Sequence, residues 1–193
     1  MTDWLAQHYV EVLGVLLSII YLVLSIRQNI LLWPVGILSA VMYMIVFFES
    51  KFYADMGLNA YYFVISIYGW INWSGAARHE KQELPVKSVG RTQAMILLLV
   101  MVGIFFLIGY LLDRYTDSPI PWWDALTTAG SIVATWMLTK KILEHWILWI
   151  FVDLLSMGLY IYRGLYPTAF LFLVYTTMAV VGYLEWKRTK KNS

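Results

Sequence analysis

Apolar runs recur along the chain with short polar breaks between them. Seven stretches are long enough to be helices in a bilayer: Tyr9–Ile26, Ile30–Phe48, Met56–Trp73, Gln93–Leu112, Trp122–Leu138, Ile142–Ile161 and Thr168–Trp186. Each approaches the roughly 20 apolar residues that a spanning helix needs. The pattern predicts an all-α integral membrane protein with seven transmembrane helices. Pro34 falls in the first turn of the second run, where its missing N–H costs little. The connections are brief except for residues 74–92, SGAARHEKQELPVKSVGRT, the single linker-like segment.

A second pattern lies over the first. Shifting the chain by 113 residues places Trp33 on Trp146. In the same gapless register Ile37 meets Ile150, Met44 meets Met157, Tyr53 meets Tyr166, Tyr62 meets Tyr175, Gly69 meets Gly182 and Trp73 meets Trp186. Upstream, Ser18 meets Ser131 and Glu11 meets Asp124. Leucine matches are cheap in so apolar a chain, but aromatic and glycine matches are not. The register predicts a duplicated three-helix unit, residues 9–73 and 122–186, with 93–112 as a linker helix between them and 187–193 as a basic tail. With one helix between the halves, both keep the same orientation, a 3+1+3 parallel repeat of the SWEET-like kind. Such architectures hold a small molecule near mid-membrane, so transport becomes the leading expectation.

Within the sixth run, one face carries Trp146, Trp149, Asp153, Ser156 and Tyr160. A carboxylate at mid-bilayer is costly and normally faces a bundle interior or a watery cavity. Flanked by indoles, it suits something flat and cationic; the plain alternative is a carboxylate bonded to a Ser or Thr of a neighbouring helix. The equivalent face of the second run carries Trp33, Gly36, Ala40, Tyr43 and Phe47, with Ala40 at the position of Asp153. The third run aligns Asn59, Tyr62, Ser66, Gly69 and Trp73, and the seventh offers Tyr175, Thr176 and Tyr183. Trp73, Trp186, Trp122 and Trp123 stand at run ends, where interfacial aromatic belts are normal. Gly36, Gly69 and Gly182 fit close helix contact. Glu11 and Asp124 suit interface charges in water.

Composition agrees: 61% of the 193 residues are hydrophobic and only 13% charged, against about a quarter charged in soluble domains. There is no cysteine, which removes disulfides and thiol chemistry. The three histidines, at 8, 79 and 145, sit outside or at the edges of the runs and do not cluster, so no metal and no other cofactor is expected. The start, MTDWLAQHYVEV, lacks the features of a cleaved signal peptide. Arg27, Arg78, Lys81, Lys87, Arg91, Lys140, Lys141, Lys187, Arg188, Lys190 and Lys191 fall on one side, and only Lys51, Arg114 and Arg163 on the other. The positive-inside rule then puts the N-terminus outside and the C-terminus in the cytoplasm. The KRTKK tail reads as an anchor at the lipid surface. A seven-helix receptor or retinal pump is the rival from another class, but no run has an interior lysine for a retinal Schiff base. No catalytic motif and no nucleotide-binding loop is present, so neither a membrane enzyme nor an ATP-driven pump is expected.

The pattern WPVGI…Y…FYAD…LNAYYF…YGW..W, followed by WWDALTT.GS…KK..E.W..W...D..S..LY.Y.GLYPTA…Y…GY..W, resembles the PnuC family of bacterial vitamin transporters from about residue 12 to 187. The resemblance implies a homotrimer that imports nicotinamide riboside, an NAD precursor, across the inner membrane. It implies facilitated diffusion, with a cytoplasmic kinase trapping the substrate, and no role for nucleic acid. Relatives carry thiamine or riboflavin. By the same resemblance the binding determinants are Asn59, Tyr62, Tyr68 and Trp70, together with Glu144, Trp146, Trp149 and Asp153. A flat pyridinium with ribose hydroxyls suits aromatic rings, a carboxylate and an amide. Thiamine, also cationic and aromatic, satisfies the same logic, whereas riboflavin is neutral and bulkier. Asp153 leaves chemical room for proton coupling, but uncoupled transport is the expectation.

Overall fold

The computed structural model describes residues 2–49, 53–80 and 84–192. The chain forms seven α-helices: α1 (Thr2–Ile26), α2 (Leu32–Glu49), α3 (Tyr53–Glu80), α4 (Arg91–Tyr115), α5 (Pro121–Thr139), α6 (His145–Tyr162) and α7 (Tyr166–Asn192). Among the described residues the only strand-like feature is an isolated parallel bridge between Lys87 and Ile142. The seven expected runs each became one helix. Most ends moved outward because polar flanks such as YAD before α3 and KRTKKN after α7 continue the helical hydrogen bonding beyond the apolar stretch, whereas α2 and α6 start two and three residues later than expected, after the turns that precede them. The expected loop at 74–92 is correspondingly shorter. The side chains of Glu11, His8, Lys51, Arg78, His79 and Lys81 lie outside the described residues.

Among the described residues three helices, α4, α6 and α7, are long and apolar enough to cross a membrane by themselves; Leu13–Ile26 and Leu32–Phe48 are shorter apolar segments. α3 and α5 fall below that standard because they carry Asn59, Ser66, Thr127, Ser131 and Thr135. Hydroxyls of this kind are compatible with lipid when they bond the preceding turn. Ser18 donates to the Gly14 carbonyl at 2.8 Å, Ser131 to that of Thr127 at 2.8 Å, and Thr135 to that of Ser131 at 2.8 Å.

The chain divides into two compact units, residues 1–84 and 85–193. In the first, α2 packs on α1 and α3; in the second, the packed pairs run α4–α5, α5–α6 and α6–α7. α4 exposes most of its apolar residues but lays Leu97 and Met101 on the cluster of Val133, Met137 and Ile142, and its one fully buried residue, Gly109, lies beneath the Trp122 ring.

The same local structure occurs in both units. α1 ends in a turn where Gln28 N–H bonds the Ser25 carbonyl (3.0 Å) and Asn29 N–H bonds that of Leu24 (2.9 Å). α5 ends alike: Lys141 N–H bonds the Leu138 carbonyl (3.0 Å) and Ile142 N–H that of Met137 (3.1 Å). This is the Schellman arrangement, which needs a left-handed residue after the helix. Gln28 (φ 54°) and Lys141 (φ 49°) supply it, 113 positions apart.

The packing within each unit repeats as well. Trp33 at the start of α2 lays its indole on Gly69 of α3 and meets Trp73 edge-on, with ring centres 5.3 Å apart. Trp146 at the start of α6 lies on Gly182 of α7 and meets Trp186 edge-on at 5.8 Å. A Cβ on Gly182 would stand 2.5 Å from the Trp146 ring, so the glycine is required by close approach. Trp73 and Trp186 were expected in an interfacial belt. They are instead 5% and 0% exposed, because each fills the space beside its partner indole. Trp122 and Trp123 are half-exposed at the start of α5, as a belt requires.

Gly182→Ala and Gly69→Ala are expected to cost about 1–3 kcal/mol each by overpacking. Denaturant unfolding of the purified protein, followed by tryptophan fluorescence, measures this; Gly75→Ala, which meets no side chain, is the control expected to change stability little.

Candidate substrate-binding face on α6

α6 begins directly after the α5–α6 turn and is apolar on nearly every side, so burial alone does not orient it. Small contacts do. Gly130 of α5 receives Val152 of α6, where a Cβ would stand 2.6 Å from the valine methyl. Trp146 sits in the Gly182 notch of α7. Just beyond the Val152 anchor Asp153 is 6% exposed and Ser156 is buried, while Trp149, between the two anchors, is half-buried one turn before the acid. Among the described residues the Asp153 carboxylate has no hydrogen-bond or ion-pair partner. No Ser or Thr of a neighbouring helix bonds it among the described residues. A buried carboxylate without a partner is costly, and such residues within membranes mark ligand or ion pathways. At the equivalent place in the first unit, Ala40 is buried.

Further along the face, Tyr160 stacks on Phe172 of α7 (5.2 Å, 25°), and Phe172 meets Tyr175 edge-on at 5.6 Å. Tyr175 thus joins an aromatic group tying α6 to α7. In the first unit, Ser66, Gly69 and Trp73 form the buried stripe of α3, and Asn59 and Tyr62 are half-buried at its N-terminal end. Tyr61 and Tyr62 lie 5.7 Å apart. Tyr68 and Trp70 are off that stripe and exposed.

Two of the candidate tryptophans, Trp33 and Trp146, are fully buried with their indole N–H groups unpartnered among the described residues. Their rings are occupied by glycine and tryptophan neighbours. Glu144 stands just before α6, yet its side chain does not cap the helix; it accepts the Val89 N–H at 2.8 Å. No local sequence signal could reveal that contact, since its partners are 55 residues apart.

His145 was placed at a span edge by the sequence, but it is fully buried. Its ring lies 4.6 Å from Trp146 and 4.7 Å from Trp186. Nδ1 is 2.7 Å from the Ile142 carbonyl, so Nδ1 holds the proton and Nε2 is a buried acceptor without a partner among the described residues. The internal register offered the clue, because the equivalent residue, Leu32, is also a core position. Asp124, expected in water at an interface, accepts the Ser118 hydroxyl at 2.7 Å and closes the loop before α5.

An all-helical chain with apolar spans and a buried, unpaired acid has the character of a multi-pass membrane transporter. The comparisons make the class specific. Residues 8–188 match the nicotinamide mononucleotide transporter family, and the chain belongs to that family, the PnuC family of vitamin transporters. The nicotinamide riboside transporter PnuC of Escherichia coli is 24% identical, over 92% of this chain and 84% of its own. The riboflavin/roseoflavin transporter RibM of Streptomyces davaonensis is also 24% identical, over 97% and 90%. A crystal structure of the vitamin B3 transporter PnuC shares the fold, with a TM-score of 0.77 and 21% identity over 98% of this chain and 85% of the other.

Trp146→Ala is expected to lower stability by about 3–5 kcal/mol, as for a fully buried ring. Trp149→Ala, at a half-buried position, is expected to cost less than half as much. Unfolding curves of the two variants side by side check the assignment of one indole to packing and the other to the open part of the face.

Proposed function

We propose that this protein imports nicotinamide riboside across the bacterial inner membrane by facilitated diffusion. The observation that carries the reading is Asp153: a buried carboxylate with no partner among the described residues, one turn from a half-buried indole. A pyridinium riboside complements both. Its flat cationic ring stacks on Trp149, and Asp153 balances the charge or accepts a ribose hydroxyl. The family resemblance adds Asn59, Tyr62, Tyr68 and Trp70 as candidates for amide, phenol and ring contacts, and the aromatic face of α7 adds Tyr175. Trp33 and Trp146 serve the site by holding the second and sixth helices on their neighbours.

All seven helices span the membrane in this reading. The two Trp–Gly–Trp arrangements and the two matching turns support a duplicated three-helix unit with α4 as the linker, the 3+1+3 SWEET-like architecture. The lysine and arginine distribution supports an outside N-terminus and a cytoplasmic C-terminus. The exposed apolar surface of α4 is compatible with lipid and with the homotrimer of the family. A cytoplasmic kinase would trap the imported riboside, which makes uncoupled movement sufficient for net uptake.

A flavin is the second reading, because RibM is as similar to this chain as the E. coli protein is. Thiamine is the third, on charge and aromaticity alone. Isothermal titration with nicotinamide riboside, thiamine and riboflavin separates them. Binding of nicotinamide riboside alone, weakened at least tenfold in both Trp149→Ala and Asp153→Ala, is the expected result. A riboflavin preference, or wild-type affinity in both variants, would overturn the substrate or the site respectively. In sealed vesicles, uptake is expected to equalise the substrate and to ignore an imposed proton gradient; uphill accumulation driven by that gradient would show coupling through an acid such as Asp153.

A further inference from the structure

Residues 86–90 lie in extended form along the α5–α6 turn. Lys87 N–H donates to the Lys141 carbonyl at 3.0 Å, and the Lys87 carbonyl accepts the Leu143 N–H at 2.8 Å. Val86 is buried, and Val89 packs on the cluster of Val133, Met137 and Ile142. Lys190, near the end of α7, donates to the Ser88 hydroxyl. The Glu144 carboxylate then closes the segment by accepting the Val89 N–H at 2.8 Å.

Two comparisons show that this carboxylate is not an ordinary feature of the turn. First, Glu144 occupies the helix-start position where an acid usually caps free N–H groups, yet it makes no side-chain cap. Second, the first unit builds the same turn without it: the equivalent residue is Leu31, 56% exposed. The acid is present where the extended segment needs a latch and absent where the turn alone is required.

We infer that Glu144 is a positioning residue, whose carboxylate latches residues 86–90 onto the α5–α6 turn and so fixes the start of α6, rather than a contact to the substrate. This rests on the reading of α6 as the substrate-binding helix, for Glu144 stands two residues before Trp146 and nine before Asp153. A carboxylate accepting a main-chain N–H is among the stronger hydrogen bonds, and a neutral amide oxygen in its place keeps a weaker one. The latch limits how far the first turn of α6 can shift, and with it the indole and acid that follow.

Site-resolved amide exchange of the purified full-length protein, without substrate, reads the latch directly. Glu144→Ala is expected to speed exchange at Val89 and Leu143 by about 30-fold, and Glu144→Gln by about fivefold or less. Initial uptake into proteoliposomes should follow the same order, with Glu144→Gln rescuing most of the rate. Val89→Pro removes the donor while leaving the carboxylate, so it should slow uptake as Glu144→Ala does. The double variant should be no slower than either alone. Wild-type exchange at Val89 in Glu144→Ala, or uptake losses that multiply in the double variant, would overturn the latch. Equal loss of substrate binding in the Ala and Gln variants at unchanged exchange would make Glu144 a substrate contact instead. Should Glu144→Ala fail to fold, the Gln and Pro variants carry the same comparison. If the wild type carries another vitamin, the exchange result stands unaltered and uptake is followed with that vitamin, so the two readings fail separately.

Discussion

A tryptophan laid on a helical glycine is the contact on which each unit depends. Lipid gives no hydrophobic reason for apolar helices to associate, so association rests on close packing and on polar contacts. In both units the indole at the start of one helix enters a glycine notch on the next, and a second indole closes the side edge-on. Ring pairs in this geometry contribute about 0.5–1.5 kcal/mol beyond their buried area. The glycine admits the ring only because it lacks a Cβ. These two requirements tie four positions in sequence to one piece of packing, used twice.

Polar groups within the helices divide by how they are satisfied. Ser18, Ser131, Thr135 and Thr176 bond the carbonyl one turn back and need nothing from a neighbour. His145 uses Nδ1 on the turn before α6 and keeps a buried acceptor. Asp153 is different, being ionisable, buried and unpaired among the described residues. It is this difference in satisfaction, more than burial itself, that separates a candidate for ligand recognition from structural polarity. A family of vitamin transporters provides the setting in which such a residue has use.

The two units share a turn, a serine that bonds back along its helix and an indole notch, yet they differ where chemistry is concentrated. Asp153, His145 and Glu144 stand where the first unit has Ala40, Leu32 and Leu31. Each change replaces an apolar side chain with an ionisable one, and all three lie on α6 or just before it. The turn and the indole–glycine notch are alike in both units, so the ionisable residues of the second unit are additions to shared packing rather than replacements of it.

The sequence by itself determined the helices and their pairing register. Apolar runs of bilayer length, aromatic and glycine matches at a fixed shift, and an acid in an otherwise apolar run are all local or periodic signals. They sufficed for seven helices, for Gly69 and Gly182 as contact points, and for the family. The tertiary structure decided which side of each helix is occupied, and by what. A tryptophan at a run end has the same sequence signature in a lipid belt as in a core, so Trp186 and Trp123 could be separated only once a neighbouring helix covered one of them. The contact of Glu144 was not legible in the sequence, because its partner, the Val89 N–H, is a backbone group with no side-chain identity to read and lies 55 residues away. Contacts of that kind are set by how the chain returns on itself, and no residue type announces them.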